Sequence, residues 1–291
     1  MTDEISLVVL AAGMGRRFGA LKQVTPVGPT DEALVDHTIR DATEAGVDRV
    51  VVVVRPEIRA EVVGHLERRS ALPLVVVEQP GPTGARTRPW GASEAVALAL
   101  AAGRGPAVVV NADDHYGADA VAALVGWLRS PAAGPGRGAL VTWPLAATTS
   151  PQGTVTRAVC RVGADGTLAG MVEHHQVAVD GDGTATTAEG PVPADAPVSM
   201  NLWGLPADAG PALAALVGAF QRGHADDPDA ELPLPTAIDG LLAAGALAVE
   251  VLPAGTTWVG VTHPDDLGPA QEAMAQLDPV PERASCERCD P

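Results

Sequence analysis

The sequence predicts an α/β fold: a mostly parallel central sheet with helices on both faces, and antiparallel strand additions in the second half. Three features carry that expectation. The first half alternates short β-branched apolar runs with segments whose apolar residues recur at helical spacing. One run, "DRVVVVVR" from Asp48 to Arg55, is apolar without interruption, as in a strand buried on both faces. After about Ser150 the runs shorten and are divided by "ADG" and "DGDG" turns, which favour hairpins. Strand, helix, strand repeated in this way gives a Rossmann-like sheet.

Each element follows in order. Ile5–Ala11 reads as a strand, Glu32–Ala45 as a helix stopped by Gly46, and Asp48–Arg55 as a strand. Ile58–Arg69 is a helix and Leu74–Glu78 a strand; a long Gly/Pro-rich loop then runs from Gln79 to Pro89. Loops of that length in compact domains are usually functional or disordered, so a lid or base-recognition loop is expected there. Ala92–Ala102 is an Ala-rich helix, "PAVVVNADD" a strand ending in polar residues, Ala118–Arg129 a helix and Ala139–Trp143 a strand. Val155–Val162, Leu168–Glu173, Val177–Val179 and "PVSMNLWGL" read as further strands. Ala209–Arg222 and Pro235–Ala244 are helices, Leu247–Leu252 a strand and Asp265–Leu277 a final helix. The expected organisation is one domain over residues 1–278, in halves 1–150 and 151–278, with a disordered tail over 279–291.

The totals exclude several functions. The 291 residues carry a formal net charge of −17, which repels nucleic acid and anionic membrane, so neither is an expected partner. No apolar stretch approaches the ~20 residues that span a bilayer. "MTDEI" is acidic and lacks the basic start of a secretory signal, so a cytoplasmic location is expected. Cys160, Cys286 and Cys289 make no disulfide scaffold, and the lone "CERC" lacks the second pair a zinc site needs. Homo-oligomerisation is left open.

In a parallel sheet, ligands collect beyond the carboxyl ends of the strands. The first strand runs into "LAAGMGRRFGALKQ". Gly13, Gly15 and Gly19 let the backbone turn so that N–H groups converge on an anion. Arg16, Arg17 and Lys22, the sole lysine of the chain, add positive charge. The composition is that of a phosphate cradle, without the GKS or GKT of a Walker loop. Further on, Asp113 and Asp114 stand together at the mouth of a central strand. Adjacent carboxylates call for a cation, and magnesium takes one or two of them and completes its shell with phosphate and water. An acidic turn capping the next helix is the alternative.

"LAAGMGRRFGALKQ" resembles the N-terminal signature of the sugar-phosphate nucleotidylyltransferases, LAAGxGxR followed by a lysine. The chain is more closely similar to a bacterial branch of that family, through Leu21–Gln23, Pro89–Gly91, Asn111–Gly117, Ser199–Gly204 and Trp258–Thr262. The resemblance implies transfer of a nucleotidyl group from a nucleoside triphosphate to a sugar 1-phosphate, with Mg²⁺ as cofactor and pyrophosphate as the leaving group. It implies a nucleotide-binding first half and a sugar-phosphate-binding second half. Leu10, Ala11, Ala12, Gly13, Met14, Gly15 and Arg16 would line the nucleotide, Gly13 and Gly15 through backbone N–H groups. Arg17 would bind the departing phosphates, and Lys22 the sugar phosphate and α-phosphate. Asp113, with Asp114, would hold the metal. Gly91, Ala92 and Ser93 would meet the base, with Trp90 either stacking on a ring or packing internally. Gly153, Glu173, His174 and Asn201 would meet the sugar.

Two departures from the family pattern stand out. Gly260 occupies the place of a second metal-binding aspartate, so a single carboxylate holds the metal or Asp114, Asp265 or Asp266 compensates. His174 stands where lysine is frequent. These changes keep two alternatives open: a catalytically silent sugar-nucleotide sensor, or the same chemistry on a carbocyclic sugar phosphate or a phosphonate.

Overall fold

The computed structural model describes residues 4–13, 21–150, 153–179, 183–253, 257–261 and 264–277. Its first half is the expected alternation: β1 (Ser6–Leu10), α1 (Leu34–Ala45), β2 (Arg49–Val54), α2 (Arg59–Arg69), β3 (Leu74–Glu78), α3 (Ala92–Ala102), β4 (Ala107–Asn111), the two-residue β5 (Asp114–His115) and α4 (Ala118–Leu128). The second half follows as β6 (Arg137–Pro144), β7 (Val155–Val162), β8 (Leu168–Val179), β9 (Thr184–Thr186), β10 (Val192–Pro193), β11 (Pro197–Leu205), α5 (Ala209–Gly223), α6 (Leu234–Ala243), β12 (Ala248–Leu252), β13 (Val259–Gly260) and α7 (Leu267–Leu277). Short 3₁₀ turns lie at Lys22–Val24, Leu145–Thr148 and Pro264–Asp266.

Strands β3, β2, β1 and β4 lie side by side and parallel. β11 pairs antiparallel with β4 through Trp203–Leu205 and with β7 through Val198 and Ser199 along the same edge, and carries β6 along its other edge. The sheet continues from β7 through the antiparallel ladder β8, β9 and β10, while β12 pairs parallel with β6. The α/β class with a mostly parallel centre and antiparallel additions is therefore the observed one.

Strand alternation divides the core between the two faces. Leu7, Val9, Val50 and Val52 point to the side covered by α1, α2 and α4. Val8, Val51, Val53 and Val109 point to the side covered by α3, α5 and α6. A small third core, Val27, Leu34, Val259, Val261, Ala270 and Met274, seats α7 against β13. Two of the expected strands, Leu168–Glu173 and Val177–Val179, are one continuous β8 that bends at Gln176, whose φ is 54°. The tail after residue 277 lies outside the described residues. Among those described, no helix is long and apolar enough to cross a membrane.

Candidate active site

Leu10 and Asn111 are register partners at the ends of parallel strands β1 and β4, so the segments that follow both strands emerge at one edge of the sheet. Lys22 returns from the first segment in a 3₁₀ turn, and its neighbour Gln23 donates its side-chain amide to the Gly13 carbonyl. That bond ties the two ends of the glycine loop together. Lys22 Nζ then reaches Asp113 Oδ2 at 2.5 Å, with both side chains partly open to solvent. Met14, Gly15, Arg16 and Arg17 lie outside the described residues.

A cavity of about 320 Å³ opens here, lined by Lys22, Ala92, Asn111, Asp113, Asp114 and Arg157 together with Glu173, Ser199, Asn201, Leu234 and Trp258. A cavity of about 340 Å³ at the opposite edge, between Ile5, Pro106, Arg129 and Arg137, holds none of the expected site residues.

A polar ladder forms one wall. Trp203 Nε1 donates to Asn201 Oδ1 at 3.2 Å, Asn201 Nδ2 to Asn111 Oδ1 at 3.4 Å, and Asn111 Nδ2 to Asp114 Oδ2 at 2.8 Å. Asn201 has φ 64° at a register shift in β11, a left-handed conformation that asparagine tolerates better than most residues. Behind the ladder the buried Tyr116 hydroxyl donates to Met200 O at 2.9 Å and accepts the Asn111 N–H at 3.0 Å.

Asp114 is buried, and its desolvation with the neighbouring Asp113 charge holds its carboxyl well above the usual carboxylate range. Such a group gains from a cation. β5 and β13 pair antiparallel, placing Gly260 opposite Asp114. A Cβ on Gly260 would fall on the Trp258 ring and 2.6 Å from Asp114 Oδ1. The Asp114 carboxylate thus borders the space that a side chain at 260 would take. Of the other carboxylates considered, Asp265 is exposed and Asp266 is buried, accepting from the Ser150 hydroxyl at 2.6 Å. Among the described residues, no three His, Cys, Asp or Glu side chains gather into an all-protein metal cage. Two adjacent carboxylates lining one cavity do suit magnesium, a hard ion that keeps most of its shell for phosphate and water.

On the base side, Ala92 lines the cavity, whereas Gly91 and Ser93 face the chain at Leu232. Ser93 Oγ donates to Leu232 O at 2.8 Å, and a Cβ on Gly91 would stand 2.6 Å from the same oxygen. The Arg86 guanidinium lies 3.3 Å from the centre of the Trp90 ring, whose edge contact is Phe220, so Trp90 packs internally. On the sugar side, Glu173 and Asn201 line the cavity, with Ala158 opposite Glu173 in register. Gly153 is exposed and bridges Ser150, and His174 Nδ1 is bonded to Thr187 Oγ1 at 2.9 Å. Leu10, Ala11, Ala12 and Gly13 sit at the end of β1, outside the lining.

The sequence reading missed Arg157. Its signal was an arginine between Val155 and Ala158, among the buried positions of the strand "VTRAVC".

Comparison with known proteins bears out the fold. Curated protein sequences give no match. The inositol-1-phosphate CTP transferase of T. maritima superposes with a TM-score of 0.65 at 15% identity, over 94% of this chain and 95% of that one. A Bacillus anthracis protein assigned as a glucose-1-phosphate thymidylyltransferase, solved with sucrose, gives 0.66 at 12% identity, over 96% and 98%. HddC from Yersinia pseudotuberculosis gives 0.56 at 13%, over 92% and 99%. At these identities the likeness is one of fold. The MobA-like NTP transferase domain matches residues 7–188, more than half of the sequence, and the chain belongs to that family.

Proposed function

We propose that this protein transfers a nucleotidyl group from a nucleoside triphosphate to a sugar 1-phosphate or a sugar-like phosphate, giving an NDP-sugar and pyrophosphate. The observation that carries the reading is Lys22 against Asp113 in a cavity that also presents Glu173 and Asn201. A phosphate oxygen of the acceptor attacks the α-phosphorus in line, and the bond to the pyrophosphate oxygen breaks. The nucleophile is already anionic, so no general base is required. Alignment and charge neutralisation carry the catalysis.

Asp113 and Asp114 would hold Mg²⁺, which when bound neutralises phosphate charge. Lys22 serves the α-phosphate as a compact cation with three donors that can follow a moving phosphoryl group. The glycine loop, with Arg16 and Arg17, cradles the triphosphate. Glu173 accepts from ring hydroxyls, and Asn201 adds an amide beside it. That Asp114 borders the space at Gly260 supports an enzyme over a silent sensor, since a second carboxylate is at hand without residue 260.

The test is a matrix of four triphosphates against hexose 1-phosphates, a cyclitol phosphate and a phosphonate, with Mg²⁺ and pyrophosphate detection. One pair should turn over well above the others. Tight nucleotide-sugar binding with no pyrophosphate from any pair would establish the sensor instead.

A further inference from the structure

Arg157 is nine-tenths buried in the wall of the cavity. A guanidinium at such depth is costly unless its charge is answered. Its hydrogen bonds go to neutral acceptors: Nε to Thr148 O at 3.1 Å and Thr148 Oγ1 at 3.2 Å, Nη1 to Thr156 O at 2.8 Å, and Nη2 to Thr148 O. These fix the fork and use one N–H on each nitrogen, leaving one on each Nη. Asp114, Asp266 and Asp113 act on its charge through space.

Among the described residues, the cations that line this cavity are Lys22 and Arg157, beside Asp113, Asp114 and Glu173. Lys22 is engaged with Asp113. Joining two phosphate-bearing substrates brings two separate anionic groups to one place; with Arg16, Arg17 and Mg²⁺ assigned to the triphosphate, the acceptor phosphate calls for a cation on its own side. Arg157 stands on the acceptor side: the next residue, Ala158, is the register partner of Glu173. Its own partner across the ladder, His174, is turned to Thr187 and to Glu189, 3.9 Å away.

We propose that Arg157 binds the phosphate of the acceptor substrate, its planar fork selecting acceptors that carry a phosphate or phosphonate dianion next to the hydroxyl-bearing ring held by Glu173. The proposal rests on the nucleotidyl-transfer reading and adds the residue that recognises the second substrate.

The test compares Arg157→Lys and Arg157→Met with wild type, using the triphosphate and acceptor that turn over best. Arg157→Met should raise the acceptor KM about 10–100-fold while the triphosphate KM stays within about twofold, and Arg157→Lys should fall between. Calorimetric titration with inorganic phosphate reads the same site without turnover, and Arg157→Met should bind at least about tenfold more weakly. An unchanged acceptor KM, equal changes in both KM values, or an unchanged phosphate affinity would overturn the proposal. If Arg157→Met does not fold, Arg157→Lys is judged by the same criteria. An Arg157→Lys chain that does not fold overturns it as well, because Arg157 then acts by holding Thr148. If the wild type releases no pyrophosphate from any pair, the nucleotidyl-transfer reading fails, and the phosphate titration still decides on Arg157.

Discussion

Gly260 lacks a side chain because the Trp258 ring and the Asp114 carboxylate already fill the space beside it. A methyl group there must displace one of them, an overpacking that costs about 1–3 kcal/mol. Gly260→Ala should lose that much stability in urea unfolding, and pyrophosphate release should fall by at least about tenfold because Asp114 is moved. Wild-type stability and turnover in Gly260→Ala would show that the space is slack and that Asp114 is not held there. Lys22, Asp113, Glu173 and Asn201, which line one cavity, were legible in the sequence through the family motifs in which they stand. The relation of Gly260 to Asp114 was not. It arises from a two-residue ladder between segments far apart in the chain, too short to leave a periodic pattern. Arg157 was hidden for a related reason: a charged residue among apolar ones is visible, but the direction it faces depends on the pairing of β7.

The loop from Gln79 to Pro89 was expected, from its length, to be a lid or a base-recognition loop. It is tied to the segment before α6. Thr87 N donates to Pro228 O at 3.0 Å, Arg86 Nη1 to Asp227 O at 3.0 Å, and Leu232 N to Trp90 O at 2.9 Å. Gly91, at φ 99°, lets the two segments approach, and a side chain there is both strained and in collision with Leu232 O. Gly91→Ala should therefore destabilise the protein by about 1–3 kcal/mol and raise proteolytic nicking between residues 79 and 91. Unaltered stability and protease resistance would show that the strap carries no load. Sequence gave the loop's bounds through its glycines and prolines. Its partner could not be read, because backbone hydrogen bonds between loops leave no residue-type signature. Helix and strand centres were legible from periodicity; β5, β9, β10 and β13 were too short for it.

At the scale of the molecule, two cores sandwich the sheet, and this rigid platform presents the strand ends at one edge. Cys160 reports on it. It is buried among the residues that face α5 and α6, and burial pushes its thiol up to about 12. The folded chain keeps that proton while the unfolded chain releases it near the ordinary value of 9.0, so this thiol lowers stability as pH rises from there towards 12. A Cys286→Ser, Cys289→Ser protein should be inert to Ellman's reagent at pH 8 and react fully in denaturant. Rapid labelling of the native protein would mean that the β7 region opens readily.

That platform has one purpose in this account: to bring Lys22 and Asp113 to bear on the same polyphosphate. A double-mutant cycle on single-turnover pyrophosphate release, with Lys22→Ala, Asp113→Asn and the pair, measures this directly. Each single change should slow release by about 10²–10³-fold, and the double variant should be little slower than either, because the two residues act as a unit. Losses that multiply, or a Lys22→Ala enzyme with near-normal turnover, would contradict it.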